Sequence, residues 1–167
     1  LTSEQMSAFV ERVIQHPLNW SVHTMSLLLR SRLEASRTRT VERSTLQLQA
    51  LIDQMPTNDS SVRERLRFFH ALELPAKWAM QSELAHRYVS IGVLRSALET
   101  FERVEMWENV VQCLGLLGRQ QEGIEVVRDL LEGRKTEAEA QLQAKRIATS
   151  VSRVPHTRFA RAREAKL

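Results

Sequence analysis

The sequence contains few of the residues that cross-link a chain or interrupt its helices. It has one cysteine in 167 residues, which excludes an internal disulfide framework and fits a reducing compartment. Five glycines and four prolines suit short connections, and aromatic residues make up only 5%. No run of 18 apolar residues occurs, so we predict no membrane-spanning helix and no membrane partner. This composition, rich in aliphatic residues and poor in glycine and proline, favours an all-α fold.

Motifs for catalysis, metal binding and cofactor binding are also missing. The sequence lacks G-x-x-x-x-G-K-[ST], G-x-G-x-x-G, H-E-x-x-H and C-x-x-C. Its three aspartates lie far apart and its five histidines are scattered, which is a poor supply of metal ligands. Cys113 follows an apolar helical spacing and is expected to be buried and inert, with a reactive thiol as the alternative. We therefore expect no enzymatic activity, no metal and no cofactor.

The net charge of +4 is unevenly distributed. Residues 144–167 hold seven Lys or Arg and one acid, Glu164, so the body of the chain is close to neutral. Such basic clusters can be solvated, pair within the chain, contact an acidic protein face or bind nucleic acid. Because Phe159 is the only aromatic residue of this tail, we do not expect nucleic acid as the main partner. The candidate partner-binding residues are Arg30, Arg32, Arg37, Arg39, Arg43, Arg158, Arg161 and Arg163.

Helical spacing of apolar residues covers most of the chain. The fourth predicted helix carries Leu66, Phe69 and Leu72 on its inner face, and Pro75 is expected at the first position of the fifth. The predicted helices are Thr2–Gln15, Asn19–Ala35, Thr40–Met55, Val62–Leu74, Ala76–Ile91, Val93–Val104, Met106–Leu117, Gln120–Glu132, Thr136–Ser152 and Arg158–Leu167. We divide them into irregular hairpins at 1–75, two compressed repeat hairpins at 76–132, and a charged helical insert with a basic helix at 133–167.

The central stretch has the residue pattern of a tetratricopeptide repeat. Small residues at Ala85 and Ala97 let two antiparallel helices approach, Tyr88 and Phe101 fill the groove beside them, and Gly92 turns the chain. The pattern recurs at Gly118, 26 positions later, which is shorter than the standard repeat of about 34 residues. The predicted packing residues are Leu84, Ala85, Tyr88, Gly92, Ala97, Phe101, Val104, Trp107, Val111, Leu114, Gly118, Gly123 and Val127. A single hairpin cannot bury its apolar face, so we predict an α-solenoid of about 9–10 helices.

Longer phrases carry a resemblance to one family. The segments from Arg87 to Gly92 and from Ser96 to Val111 resemble the eukaryotic tetratricopeptide repeat protein 27 family, as do His16-Pro17 and Pro75-Ala-Lys-Trp78 upstream. The resemblance runs through most of residues 1–132, whereas residues 133–167 match poorly. Because the sequence does not begin with Met and family members continue into further repeats, we expect a piece from the middle of a longer protein.

The resemblance implies a non-enzymatic helical scaffold in the cytoplasm, with the nucleus as a second location. Fungal members of the family are linked to cell-wall integrity. Animal members are linked to chaperone-assisted assembly of the U5 small nuclear ribonucleoprotein, near its translation-factor-like GTPase. An RNA-contacting role of the basic tail is the alternative. Some tetratricopeptide repeats clamp the tails of Hsp70 or Hsp90 with Lys, Asn and Arg, but Ser82, His86, Glu108 and Gln112 stand at those places, so we expect no such clamp in this segment.

Overall fold

The computed structural model describes residues 3–134, which form eight α-helices and no strand. Short turns join the helices into hairpins, and each hairpin packs on the next: α1 on α2, α2 on α3, α3 on α5, and α5 to α8 in sequence order. The helices are α1 Ser3–Gln15, α2 Trp20–Glu34, α3 Val41–Gln54, α4 Val62–Arg65, α5 Lys77–Ser90, α6 Leu94–Val104, α7 Trp107–Leu116 and α8 Gln120–Leu131. The prediction of an all-α hairpin stack is confirmed. The two helices predicted beyond residue 134 lie outside the described residues.

The core consists of two adjoining clusters. One joins α2, α3 and α5 through residues such as Leu28, Leu48 and Met80. The other joins α5, α6 and α7 around Phe101. Tyr88 packs against both clusters, so the core runs along the stack instead of closing around one centre. This arrangement is typical of a repeat fold, in which each unit contacts its neighbours.

Left-handed residues follow the last four described helices, α5 to α8. After α5, α7 and α8 the residue is a glycine: Gly92 with φ +82°, Gly118 with φ +74° and Gly133 with φ +70°. After α6 it is Glu105, with φ 61°. In each case the next amide bonds back to a carbonyl five residues earlier, as from Met106 N to Phe101 O at 3.0 Å. These bonds satisfy carbonyls that the helix end leaves free, which explains the short, sharp turns.

The prediction for the fourth helix is wrong. The regular helix ends at Arg65, and the chain continues to Leu72 as successive turns. Leu66 and Phe69, expected inside, are 57% and 72% exposed. The segment packs on α2, and no described element covers its apolar side. Pro75 also lies two residues before α5, which begins at Lys77 with Ala76 as its N-cap.

Candidate protein-interaction surface

The most extensively packed helix pair is α5 with α6. Ala85 and Ala97 have no exposed surface and belong to the same buried cluster as Phe101. Since alanine side chains add little bulk, the two backbones approach and the larger Phe101 fills the space beside them. Its ring also makes an edge contact with His86, with ring centroids 5.1 Å apart. The α5–α6 hairpin packs against α3 through α5 and against α7 through α6.

The structure places most of the predicted packing residues in or beside the core. Leu84, Ala85, Ala97, Phe101, Leu114 and Gly123 are buried, and Tyr88, Val104, Trp107 and Val111 are half-buried. Val127 departs from the expectation, because 40% of its surface is exposed. The reason is its position on the last described helix, which packs on α7 and has a second apolar side that no described element covers.

That open side forms an apolar groove between α7 and α8. It encloses about 250 Å³ and is lined by Val111, Gly115, Gln120, Gly123, Ile124 and Val127. Gly123 faces α7, and a Cβ at this position would meet the Val111 side chain at 3.8 Å, an ordinary van der Waals distance. Ile124 is 51% exposed, and Leu116 and Leu131 nearby in sequence are also exposed. Exposed apolar side chains grouped along a groove mark a surface that can bind another protein segment.

A buried arginine joins the first hairpins to the repeat hairpins. Arg87 on α5 donates from Nη1 to the Ser31 hydroxyl of α2 at 2.7 Å, and from Nη2 to Glu83 at 2.6 Å. Ser31 in turn donates to the carbonyl of Ser44 on α3 at 2.9 Å. Arg32 of α2 donates to the other side of Glu83 at 2.8 Å. One polar network therefore links α2, α3 and α5.

The electrostatics of Glu83 follow from this network. Burial alone raises the pKa of its carboxyl group, but the hydrogen bonds from Arg32 and Arg87 outweigh burial and hold the pKa below its ordinary value. Sequence reasoning missed Arg87, because arginines are seldom buried. The nearest signal is Ser31, a small polar residue buried on α2 whose hydroxyl accepts a hydrogen bond from Arg87.

The predicted arginine cluster is largely paired within the chain. Arg30 and Arg43 both bind Glu34, at 3.0 and 2.8 Å. With Arg32 on Glu83, three of the five candidates have an acidic neighbour. Arg37 and Arg39, between α2 and α3, are exposed and make no ion pair within residues 3–134. Arg158, Arg161 and Arg163 lie outside the described residues.

Residues 3–134 offer no evident site for chemistry. Cys113 is buried, and burial raises the pKa of its thiol, which disfavours the reactive thiolate. No group of three or more metal-ligating side chains lies together in the described part of the chain. None of the described helices is both long and apolar enough to cross a membrane. At the positions of the chaperone clamp, His86 is directed to the Ser82 carbonyl at 2.8 Å.

The chain is similar to several curated proteins. It is 42% identical to a TPR repeat-containing protein of Schizosaccharomyces pombe and 39% identical to a tetratricopeptide repeat protein 27 homolog of Dictyostelium discoideum, each over 79% of this chain. It is 28% identical over 84% of its length to a Saccharomyces cerevisiae protein named Essential for maintenance of the cell wall protein 1. Neither a protein-family profile nor a solved structure matches it. The matched segment covers 20%, 16% and 17% of these relatives. The chain therefore resembles tetratricopeptide repeat protein 27 and related repeat proteins, and it spans about a fifth or less of the length of these matched relatives.

Proposed function

We propose that this chain is part of a non-enzymatic scaffold that holds a protein client. The observation that carries the proposal is the stack of hairpins, joined by a continuous core, whose last described pair presents the apolar α7–α8 groove. Such a groove suits an extended or helical protein segment, which buries apolar side chains against Ile124 and Val127. Helical-repeat proteins of this kind act as interaction scaffolds, and the similarity to repeat-containing relatives supports that role.

The finer proposal concerns the client. The family resemblance points to the translation-factor-like GTPase of the U5 small nuclear ribonucleoprotein, with chaperones taking part in its assembly. The localisation that belongs to this proposal is the cytoplasm, with the nucleus as a second location. The division into irregular hairpins at 1–75, repeat hairpins at 76–132 and a charged segment at 133–167 is part of the same proposal, with the client contact assigned to the repeat hairpins.

Affinity purification of the tagged full-length protein tests this proposal. We expect the U5 GTPase among the stoichiometric partners, and we expect Ile124→Glu with Val127→Glu to release it, since charges in the groove oppose burial. The matched control is Leu46→Glu with Ala50→Glu, which places two charges on the exposed face of α3. Recovery of other proteins without the GTPase would refute the client assignment. Recovery of no stoichiometric partner would refute the scaffold.

The alternative function is RNA contact by the basic tail. It rests on the charge of residues 144–167, including Arg158, Arg161 and Arg163. Binding through phosphates would weaken steeply as salt rises. A gel-shift titration with uridine-rich small nuclear RNA at physiological salt tests it, using a chain that ends at residue 143 as the control. The absence of tail-dependent binding at micromolar protein would remove this function.

A further inference from the structure

The segment from Val62 to Leu72 carries an apolar stripe that faces no described part of the chain. Val62, Leu66 and Phe69 are 71%, 57% and 72% exposed. The amide of Leu66 bonds to the Val62 carbonyl at 3.0 Å, and that of Phe69 bonds to the Leu66 carbonyl at 3.2 Å. Residues three and four positions apart in such turns lie on the same side. The three side chains therefore form one continuous exposed stripe, which we call the α4 stripe.

The opposite side of the segment is fixed to the hairpins. Arg65 lies with its guanidinium carbon 4.1 Å from the centre of the Trp20 ring and donates to the carbonyls of Met55, at 2.8 Å, and Thr57. The Arg65 carbonyl accepts from Ser21 Oγ at 2.6 Å. These contacts join α4 to α2 and to the end of α3. The α4 stripe is thus presented by a segment held in place, which lowers the entropy cost of binding a partner.

A basic ridge runs beside the stripe. Arg63, Arg67 and His70 each follow one residue after a member of the stripe, so they keep the same spacing. All three are exposed, and neither Arg63 nor Arg67 makes an ion pair within residues 3–134. Arg67 instead lies over the Phe68 ring, 5.3 Å from its centre. The surface therefore combines an apolar stripe with uncompensated positive charge along one side.

We propose that the α4 stripe docks an acidic amphipathic helix of a protein partner. Apolar side chains of such a helix, spaced three and four apart, would cover Val62, Leu66 and Phe69. Its carboxylates would face Arg63 and Arg67. Complementary charge of this kind selects the orientation and accelerates association. The proposal deepens the scaffold function and rests on it.

Two other classes of partner fit the surface less well. Helices that lie on a membrane present a long apolar face, whereas this stripe has three side chains. Nucleic acid would pair with Arg63 and Arg67, but only Phe69 is available to stack on a base and two aliphatic side chains would stay uncovered. An acidic protein helix satisfies both the apolar and the charged part of the surface.

Fluorescence anisotropy with a designed probe tests the proposal on the full 167-residue chain. The probe is a labelled helical peptide of about 16 residues built from leucine, alanine and glutamate, with leucine on one face. Its counterpart has lysine in place of glutamate. We expect saturable binding of the glutamate peptide, and a Kd at least about tenfold weaker for the lysine peptide, because two opposite-charge contacts become repulsive.

Variants locate the binding on the chain. Arg63→Glu with Arg67→Glu should reverse the preference between the two peptides, and Phe69→Ser should weaken the binding of both. Arg95→Glu with Arg103→Glu is the matched control, since both arginines are exposed and make no ion pair within residues 3–134, and it should leave the preference between the peptides unchanged. Circular dichroism establishes that each variant keeps its helix content.

Several outcomes would overturn the proposal. Equal binding of the two peptides, no saturation at about 1 mM peptide (a free energy near −4 kcal/mol), or an unchanged preference in the Arg63/Arg67 variant would each do so. Stronger binding to phosphatidylserine vesicles that Phe69→Ser abolishes would assign the stripe to a membrane, and a dimer in sedimentation that Phe69→Ser dissolves would assign it to a second copy. If the glutamate peptide does not bind but the full-length protein still recovers the GTPase, the scaffold function remains intact, because the α4-stripe substitutions do not touch α7 or α8.

Discussion

Replacing Arg87 by methionine isolates the polar network that joins α2, α3 and α5. Methionine keeps much of the side-chain volume and removes the guanidinium. The Ser31 hydroxyl and Glu83 each lose a charged donor, at 2.7 and 2.6 Å in the native chain. Arg32→Met is the matched control, because it removes the other donor of the same carboxylate. The two arginine side chains differ in exposure, at 10% for Arg87 and 41% for Arg32.

The expected loss follows from that difference. Removing one member of a buried ion pair costs about 3–5 kcal/mol when the other charge is left alone. Glu83 keeps Arg32 as a partner and is 26% exposed, so we expect Arg87→Met to lower the free energy of unfolding by less, about 2–3 kcal/mol. Most of this loss comes from the hydrogen bonds to charged groups that the substitution removes. Arg32→Met removes a contact of a largely exposed side chain and should cost at most about 1 kcal/mol.

Urea unfolding followed by circular dichroism measures both variants. With a slope of about 1–3 kcal/mol per molar urea, Arg87→Met should lower the midpoint by about 0.7–3 M while the slope stays unchanged. Adding Ser31→Ala to Arg87→Met should cost less than the sum of the two single changes, because they remove the same hydrogen bond. If Arg87→Met and Arg32→Met cost the same within about 0.5 kcal/mol, then burial does not set the strength of this network and the reasoning fails.

Three further predictions concern titration, backbone conformation and thiol reactivity. Arg32 and Arg87 lower the pKa of Glu83, so the Glu83 carboxylate stabilises the fold above the ordinary carboxyl pKa of 4.5, and this stabilisation is lost as pH falls through the lower folded pKa. In a pH series of urea unfolding, Glu83→Gln should therefore lose less stability at acid pH than the native chain. An unchanged dependence of stability on pH would contradict this. Gly118→Ala should destabilise the chain by about 1 kcal/mol, and Glu105→Gly should stabilise it by about as much, because both positions have positive φ and only glycine adopts it without strain. Thermal unfolding measures both variants. Shifts of the melting temperature in the same direction would count against the left-handed conformation at these positions. Buried Cys113 should react with a thiol reagent only after the chain is unfolded in urea. Full labelling of the native chain at the same rate as the unfolded chain would disprove its burial.

Much of the fold could be predicted from apolar spacing and turn residues. Seven of the eight described helices lie within about two residues of the predicted bounds, since their apolar faces repeat every three or four positions and Gly92 and Gly118 mark turns that need positive φ. Glu105 shows the limit of that rule. It adopts the same left-handed conformation without being a glycine, and so carries no signal in the sequence.

The candidate surfaces could be predicted less well. The α4 prediction used the correct apolar pattern at Leu66 and Phe69 but assumed that an apolar face is always covered. The arginine cluster between α2 and α3 was recognised as charged, yet Arg30 and Arg43 turn out to share Glu34. A sequence shows which charged side chains are present, whereas their pairing depends on which helix faces lie within a few ångströms of each other.

The sequence by itself determined most of the helices and the turns between them, because these depend on contacts within a few residues along the chain. Only the tertiary structure decided that Arg87 is buried against Ser31, 56 residues away, and that the α4 stripe stays exposed. Both outcomes depend on which neighbour each helix face meets. The periodicity of a single helix determines which side is apolar and leaves the identity of that neighbour open.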